Sequence, residues 1–190
     1  NLTLGQANVA VGYAALLTDI RGSNSTAIGY GALQNQSFSS AQNTNNTAVG
    51  YKAGRDITSG IGNTFVGNSA GENSTDTDYN TAVGDRALFT NTRADQNVAI
   101  GYAALYSLNK TDGDDTRNVA VGNDAGYATT TGHENVFVGR RAGATHTEGY
   151  RNVVIGAQAG DALTTGAHNI LIGYQAGAYS GQTNVITGGN

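Results

Sequence analysis

The densest group of potential ligand atoms in this chain is the acidic run Asp112, Asp114 and Asp115. Carboxylates this close together offer the hard oxygen donors that calcium takes, which makes the run the candidate for a metal site. A solvated acidic loop explains it equally without an ion, and no metal or cofactor is expected. His133, His146 and His168 share no spacing that would align them as a ligand set. They read as exposed side chains. Cysteine is absent, which excludes thiolate metal sites and disulfides. The many glycines are followed by no Gly-Lys-Ser/Thr phosphate loop, and there is no nucleophile elbow or glycine-rich calcium nonapeptide. No enzymatic activity is expected. What remains is aromatic chemistry. Tyr13, Tyr30, Tyr51, Tyr102 and Tyr174 each follow a glycine, and Phe38 and Tyr106 lie in longer connecting segments. Rings at such corners stack on sugars or cap an edge, so these seven are the candidate receptor contacts.

The element that must position them is a repeat. A strand of the type Asn-Thr-Ala-Val-Gly recurs ten times, closing at Gly12, Gly29, Gly50, Gly67, Gly84, Gly101, Gly122, Gly139, Gly156 and Gly173. The step from Gly12 to Gly29 is kept throughout except at Gly29 to Gly50 and Gly101 to Gly122, which are longer by four. A fixed period of this order marks a repeat architecture. Units this small cannot bury an apolar face alone and must stack, so residues 1–190 form a single repeat domain, an all-β parallel solenoid of about ten coils, with a degenerate last unit at 184–190. Proline is absent, as suits strands that need every backbone N–H, and 28 glycines supply the corners. With the glycine as position zero, Val or Ile always stands at −1, Ala at +3, and Asn at −4 in every unit but the one with Ser25. Stacked Asn at one offset predicts an amide ladder between coils.

The long steps carry their extra length within Gln34 to Asn45 and Tyr106 to Arg117. These segments stand four coils apart, the interval that separates Gly12 from Gly84 and also Phe65 from Phe137. A four-coil block has been duplicated, which places the enlarged loops on one side about 19 Å apart at about 4.8 Å per coil. The less regular half of each coil, such as Arg55 to Gly62, Tyr127 to Glu134 and Asp161 to His168, reads as a polar second strand facing water.

Positions −1 and −3 share one face of the strand and −2 occupies the other, yet both faces are mostly apolar. One face closes the coil; the other needs a second surface, and another copy of the chain is the economical answer. Placing −1, −3 and the +3 alanines inside leaves Ala48, Phe65, Ala120, Phe137, Val154 and Leu171 as candidate contacts in a side-by-side homotrimer. Net charge is −4 with only 10 Lys and Arg, so no nucleic acid is expected. No apolar run approaches the roughly 20 residues of a membrane span. A start at Asn1, without Met or signal peptide, reads as a processed product or a fragment of a longer protein.

The strands Asn46 to Gly50 and Asn80 to Gly84 (NTAVG) and Asn97 to Gly101 (NVAIG) resemble the repeats in the heads of trimeric autotransporter adhesins and those of phage tail fibres and related bacterial fibre proteins. The resemblance covers the whole chain. It implies a left-handed β-roll, three chains side by side, outside the cell on a bacterial or virion surface, recognising a glycan or protein. The adhesin heads usually have a shorter coil, so the longer period here favours the fibre branch. Two further readings are a self-assembling extracellular filament without a receptor and an ice-binding solenoid built on Thr26, Thr47, Thr64 and Thr81, which here read as tolerated core positions.

Overall fold

The computed structural model describes residues 5–110, 115–178 and, for backbone alone, 186–187. Thirteen strands occur in it: β1 (Val9–Val11), β2 (Gly22–Ser23), β3 (Thr26–Ile28), β4 (Gln42–Asn43), β5 (Thr47–Val49), β6 (Thr64–Val66), β7 (Thr81–Val83), β8 (Val98–Ile100), β9 (Val119–Val121), β10 (Val136–Val138), β11 (Val153–Ile155), β12 (Asn169–Ile172) and β13 (Ile186–Thr187). Ten of them, β1, β3 and β5 to β12, pair in parallel in chain order. They are joined by nine turns of solenoid, so the sheet runs about 43 Å at about 4.8 Å per strand. β13 departs from the expected continuation. It pairs antiparallel with β12, Asn169 opposite Thr187 and Ile170 opposite Ile186.

Register is strict: −3 faces −3 and −2 faces −2 at each parallel step, as in Thr47↔Thr64 and Ala48↔Phe65. The two long steps keep it, with Thr26↔Thr47 and Val98↔Val119. In the first, the extra residues leave by the far side of the coil. There β2 pairs β4 through Ser23↔Asn43, and at the equivalent place in the second four-coil block Asp95 bridges Asp115 in parallel. The duplication read from the sequence is therefore present in the backbone. The expected second strand is not a continuous sheet; among the described residues that half of the coil is turns, tied coil to coil by single bonds such as Thr58 N–H to Thr75 O.

Each closing glycine has φ between +126° and +141°. A Cβ on Gly12 would stand 2.5 Å from the Gly29 carbonyl oxygen, and one on Gly122 the same distance from Gly139. No other residue fits where each corner lies on the next. Positions −5, +2 and +4 also take left-handed φ, and here larger residues occur: Arg117 at −5, Arg141 at +2 and Leu33, Leu88 and Leu105 at +4.

The interior reverses the expected assignment of faces. The −2 residues Ala48, Phe65, Ala120, Phe137, Val154 and Leu171 are all buried within the coil, packed on the +3 alanines. They are core, and cannot form the trimer contact expected of them. Side-chain alternation fixes only that −2 opposes −1 and −3. The choice of inner face follows from a volume match between −2 and +4. Ala27, Ala82 and Ala99 are followed by Leu33, Leu88 and Leu105, whereas Phe65 and Phe137 are followed by Gly71 and Gly143. A Cβ on Gly71 would lie 2.6 Å from the Phe65 ring, and one on Gly54, a coil earlier, 2.8 Å. Each Phe thus fills the space that two glycines leave.

The Asn column is a buried ladder. Asn46 Oδ1 accepts from Asn63 N–H at 2.9 Å and Nδ2 at 3.2 Å; Asn63, Asn80, Asn97, Asn118, Asn135 and Asn152 repeat the pattern in turn. Each Nδ2 also donates to a backbone carbonyl, as Asn135 does to Gly149 at 2.9 Å. At Ser25 the side chain is too short to span the step, and Gln36 bridges instead, donating to Ser25 Oγ at 3.2 Å and accepting from Asn46 Nδ2 at 2.9 Å.

The volume match predicts a rescue. Phe65→Ala should cost about 3–5 kcal/mol in urea unfolding. Adding Gly71→Leu, which recreates the native Ala–Leu pairing at a backbone φ that Leu88 already adopts, should recover much of that loss, whereas Gly71→Leu alone should destabilise.

Candidate functional site

Stacking of like positions governs the surface as it does the core. At −5, Arg117 and Arg151 flank Glu134, with Arg117 Nη1 to Glu134 Oε1 at 2.9 Å and Arg151 Nε to Glu134 Oε2 at 2.6 Å. Asp115 joins this chain through Arg117 Nη2 at 2.9 Å. A carboxylate held by a guanidinium is a poor start for a metal site, and no group of three potential ligands occurs among the described residues. Asp112 and Asp114 lie outside the described residues.

A second acidic column runs beside it. Asp78 Oδ1 accepts from Ile61 N–H at 2.8 Å and Asp95 Oδ1 from Asp78 N–H at 2.7 Å, so each carboxylate caps the backbone of the coil before. Burial pushes the Asp95 carboxyl up to about 6, the Asp78 N–H pulls it back, and the Asp78, Asp115 and Asp76 charges raise it further.

His146 is not the exposed residue expected. It is buried at +7, a column that also holds Gln36, Ile57, Ser74, Asn91, Leu108 and Thr129, all buried. Its Nε2 lies 3.1 Å from Asn152 Nδ2, whose two hydrogens already serve Asn135 Oδ1 and the Gly166 carbonyl, while the buried Nδ1 has no hydrogen-bond partner. Burial lowers its pKa to about 4, with a smaller opposing effect from Gly166. His133 stacks on Tyr150 at 5.0 Å, and Tyr150 meets His168 edge-on at 5.2 Å.

The candidate receptor contacts divide into three groups. Tyr13, Tyr30 and Tyr51 are exposed and form a stack at +1, with ring centroids 5.1 and 5.3 Å apart. Tyr102 and Tyr174 are exposed as well. Phe38 is not available to a receptor: it is 5% exposed. Tyr106 is half-buried, with Phe89 at 5.2 Å on one face and Tyr127 at 5.1 Å on the other.

That second stack, at +5, borders a solvent-open cleft of about 480 Å³ lined by Tyr102, Asp124, Tyr127, Arg141 and Ala144. The lining is fixed by the coil corners. Asp124 N–H donates to the Tyr102 carbonyl at 2.9 Å and Arg141 N–H to that of Asn123 at 2.8 Å. Asp124 Oδ2 accepts from Asn123 Nδ2 at 2.6 Å, and Arg141 Nη2 lies 3.8 Å from Asp161 Oδ1. Of these five residues only Tyr102 was singled out from sequence. The aromatic run Phe89, Tyr106, Tyr127 at one offset in three successive units was the signal for the rest. Comparison with protein families, curated proteins and solved structures finds no match to this chain.

His146 makes acid stability testable. Its folded pKa lies below its unfolded value of 6.5, so the stability it provides is full above 6.5 and is lost as pH falls toward 4, by up to about 3 kcal/mol. His146→Leu, matching Leu108 at the same offset, should flatten that part of the profile in denaturation curves at pH 7, 5.5 and 4.5. An equal acid loss in both proteins would refute the assignment.

Proposed function

We propose that the chain is a structural and adhesive segment of an extracellular fibre, assembled as a side-by-side homotrimer on a cell or virion surface. The observation that carries this reading is the outward face of the main sheet. All twenty residues at −3 and −1 are Val, Ile or Thr, none is charged, and Val9, Val11, Ile28, Ile100, Ile155, Ile170 and Ile172 stand exposed. At about 43 Å by about 10 Å the face covers roughly 400 Å², the size at which apolar surface marks an interface. A second copy is the occupant that fits best. Its strands have the same pitch, so rows of β-branched side chains can interlock coil for coil along the length, and no charge needs neutralising. The flanks and the enlarged loops stay free for recognition.

One observation favours a second reading. Thr26, Thr47, Thr64 and Thr81 lie on this outward face in adjacent strands and not in the core, which is the arrangement an ice-binding surface uses. Aliphatic residues hold the other six −3 positions, so the trimer remains preferred.

Light scattering of the wild type should give three times the chain mass. Ile100→Lys with Val121→Lys, both outward, should give a monomer with an unchanged circular dichroism spectrum; the same charge at Ala120 should unfold the coil. A monomeric wild type would sink the trimer, thermal hysteresis would favour ice binding, and indefinite fibres in electron micrographs would favour a filament without a receptor.

A further inference from the structure

We infer that the cleft between Tyr102 and Tyr127 is a binding site for a sugar ring of a surface glycan. The inference gives the adhesive reading its ligand chemistry but does not depend on the oligomeric state. It starts from an interrupted stack. Phe89, Tyr106 and Tyr127 occupy offset +5 in successive coils with centroids 5.2 and 5.1 Å apart. The next +5 residue is Ala144, buried on the floor of the cleft. One ring-sized step of the column is therefore open beside Tyr127, a ring held rigid from behind by two others. A flat apolar face one coil step above Tyr127 would continue the stack.

The polar lining selects what carries that face. Asp124 and Arg141, both at +2 corners with φ of 54° and 59°, bring a hydroxyl acceptor and a fork of N–H donors to the same opening. A pyranose matches both halves: its C–H face stacks on an aromatic ring, while hydroxyls at its rim donate to a carboxylate and accept from a guanidinium. An aromatic side chain of a partner protein would satisfy Tyr127 but strip water from Asp124 and Arg141 without replacing those hydrogen bonds. Tyr102 at +1 has Asp85 and Asn123 at the same offset in the coils before and after, so it is free to form a second wall. The cleft is lined by corner positions +1, +2 and +5, and by no −1 or −3 residue.

Saturation-transfer NMR tests this with the methyl glycosides of glucose, galactose, mannose and N-acetylglucosamine as probes and N-acetyltyrosinamide as the aromatic comparison. Transfer to ring C–H protons of at least one glycoside is expected, with millimolar affinity. Ala144→Tyr extends the aromatic column into the cleft and should weaken binding about tenfold or more while leaving the melting temperature unchanged or higher. Asp124→Asn should weaken it without altering the stack, and Tyr13→Ala, on the other column, should leave it intact. No transfer to any glycoside, transfer indifferent to both Ala144→Tyr and Asp124→Asn, or transfer to N-acetyltyrosinamide alone would overturn the assignment. Light scattering on the same samples separates this outcome from failure of the trimer: loss of sugar binding in a trimer rejects the cleft, and sugar binding by a monomer rejects the trimer.

Discussion

Parallel pairing in strict register sets every residue against the residue at the same offset one coil away, and the rest of the molecule follows from what tolerates its own counterpart at that distance. Amides do, because one oxygen accepts from the next backbone N–H and side chain at once; hence the ladder from Asn46 to Asn169. Aromatic rings do, with centroids 5.1 to 5.3 Å apart, hence the stacks at +1 and +5. Like charges do so only at a cost: −5 alternates Arg117, Glu134 and Arg151, and at +5 Arg55 pairs with Glu72, whereas Asp95, stacked on Asp78, has its carboxyl raised to about 6 by burial and by the neighbouring carboxylates. Glycine at zero is the extreme case, where a Cβ would meet the next carbonyl. One hydrogen-bonding geometry thus dictates composition column by column, with little demand on sequence between columns.

The interior obeys a longer rule. A single coil can be filled by Ala at −2 with Leu at +4, but a Phe at −2 reaches into its own coil and the one before, emptying +4 in both. Gly54 and Gly71 serve Phe65 as Gly126 and Gly143 serve Phe137. The order Ala–Leu, Ala–Leu, Ala–Gly, Phe–Gly is therefore a unit of four coils that cannot be cut without a void or a clash. This gives a physical reason for the four-coil block to have been copied whole, together with the enlarged loop it carries.

The repeat, its parallel order, the amide ladder and the duplication were legible because each depends on spacing alone. The inner face was not. Alternation divides −2 from −1 and −3 without saying which side is in, and both sets are apolar; only the reciprocal sizes of −2 and +4 reveal that Phe65 and Phe137 point inward. Phe38 and His146 were misjudged for related reasons: Phe38 lies in an enlarged loop outside the period, and the buried +7 column of His146 mixes Ile57 and Leu108 with Gln36, Ser74, Asn91 and Thr129, so residue type does not mark it as interior. Tyr102 was legible as one tyrosine among several, but the cleft beside it depends on the absence of a ring at Ala144, and an alanine does not announce a gap until the column it interrupts is known.

The columns also explain how a molecule built from identical coils acquires distinct surfaces. A uniform solenoid would offer the same row everywhere, suited to lateral packing and to nothing local. The outward −1 and −3 rows keep that uniformity, and uniformity is what a rod needs to pack along its length with a copy of equal pitch. The +1 and +5 corners break it, starting and stopping aromatic columns at chosen coils. The stop after Tyr127 creates an edge where a ring face, the corner carboxylate of Asp124 and the guanidinium of Arg141 meet. On the proposed reading, assembly and recognition fall on different offsets of one repeat, so either could change by substitution without disturbing the hydrogen bonds that set the pitch.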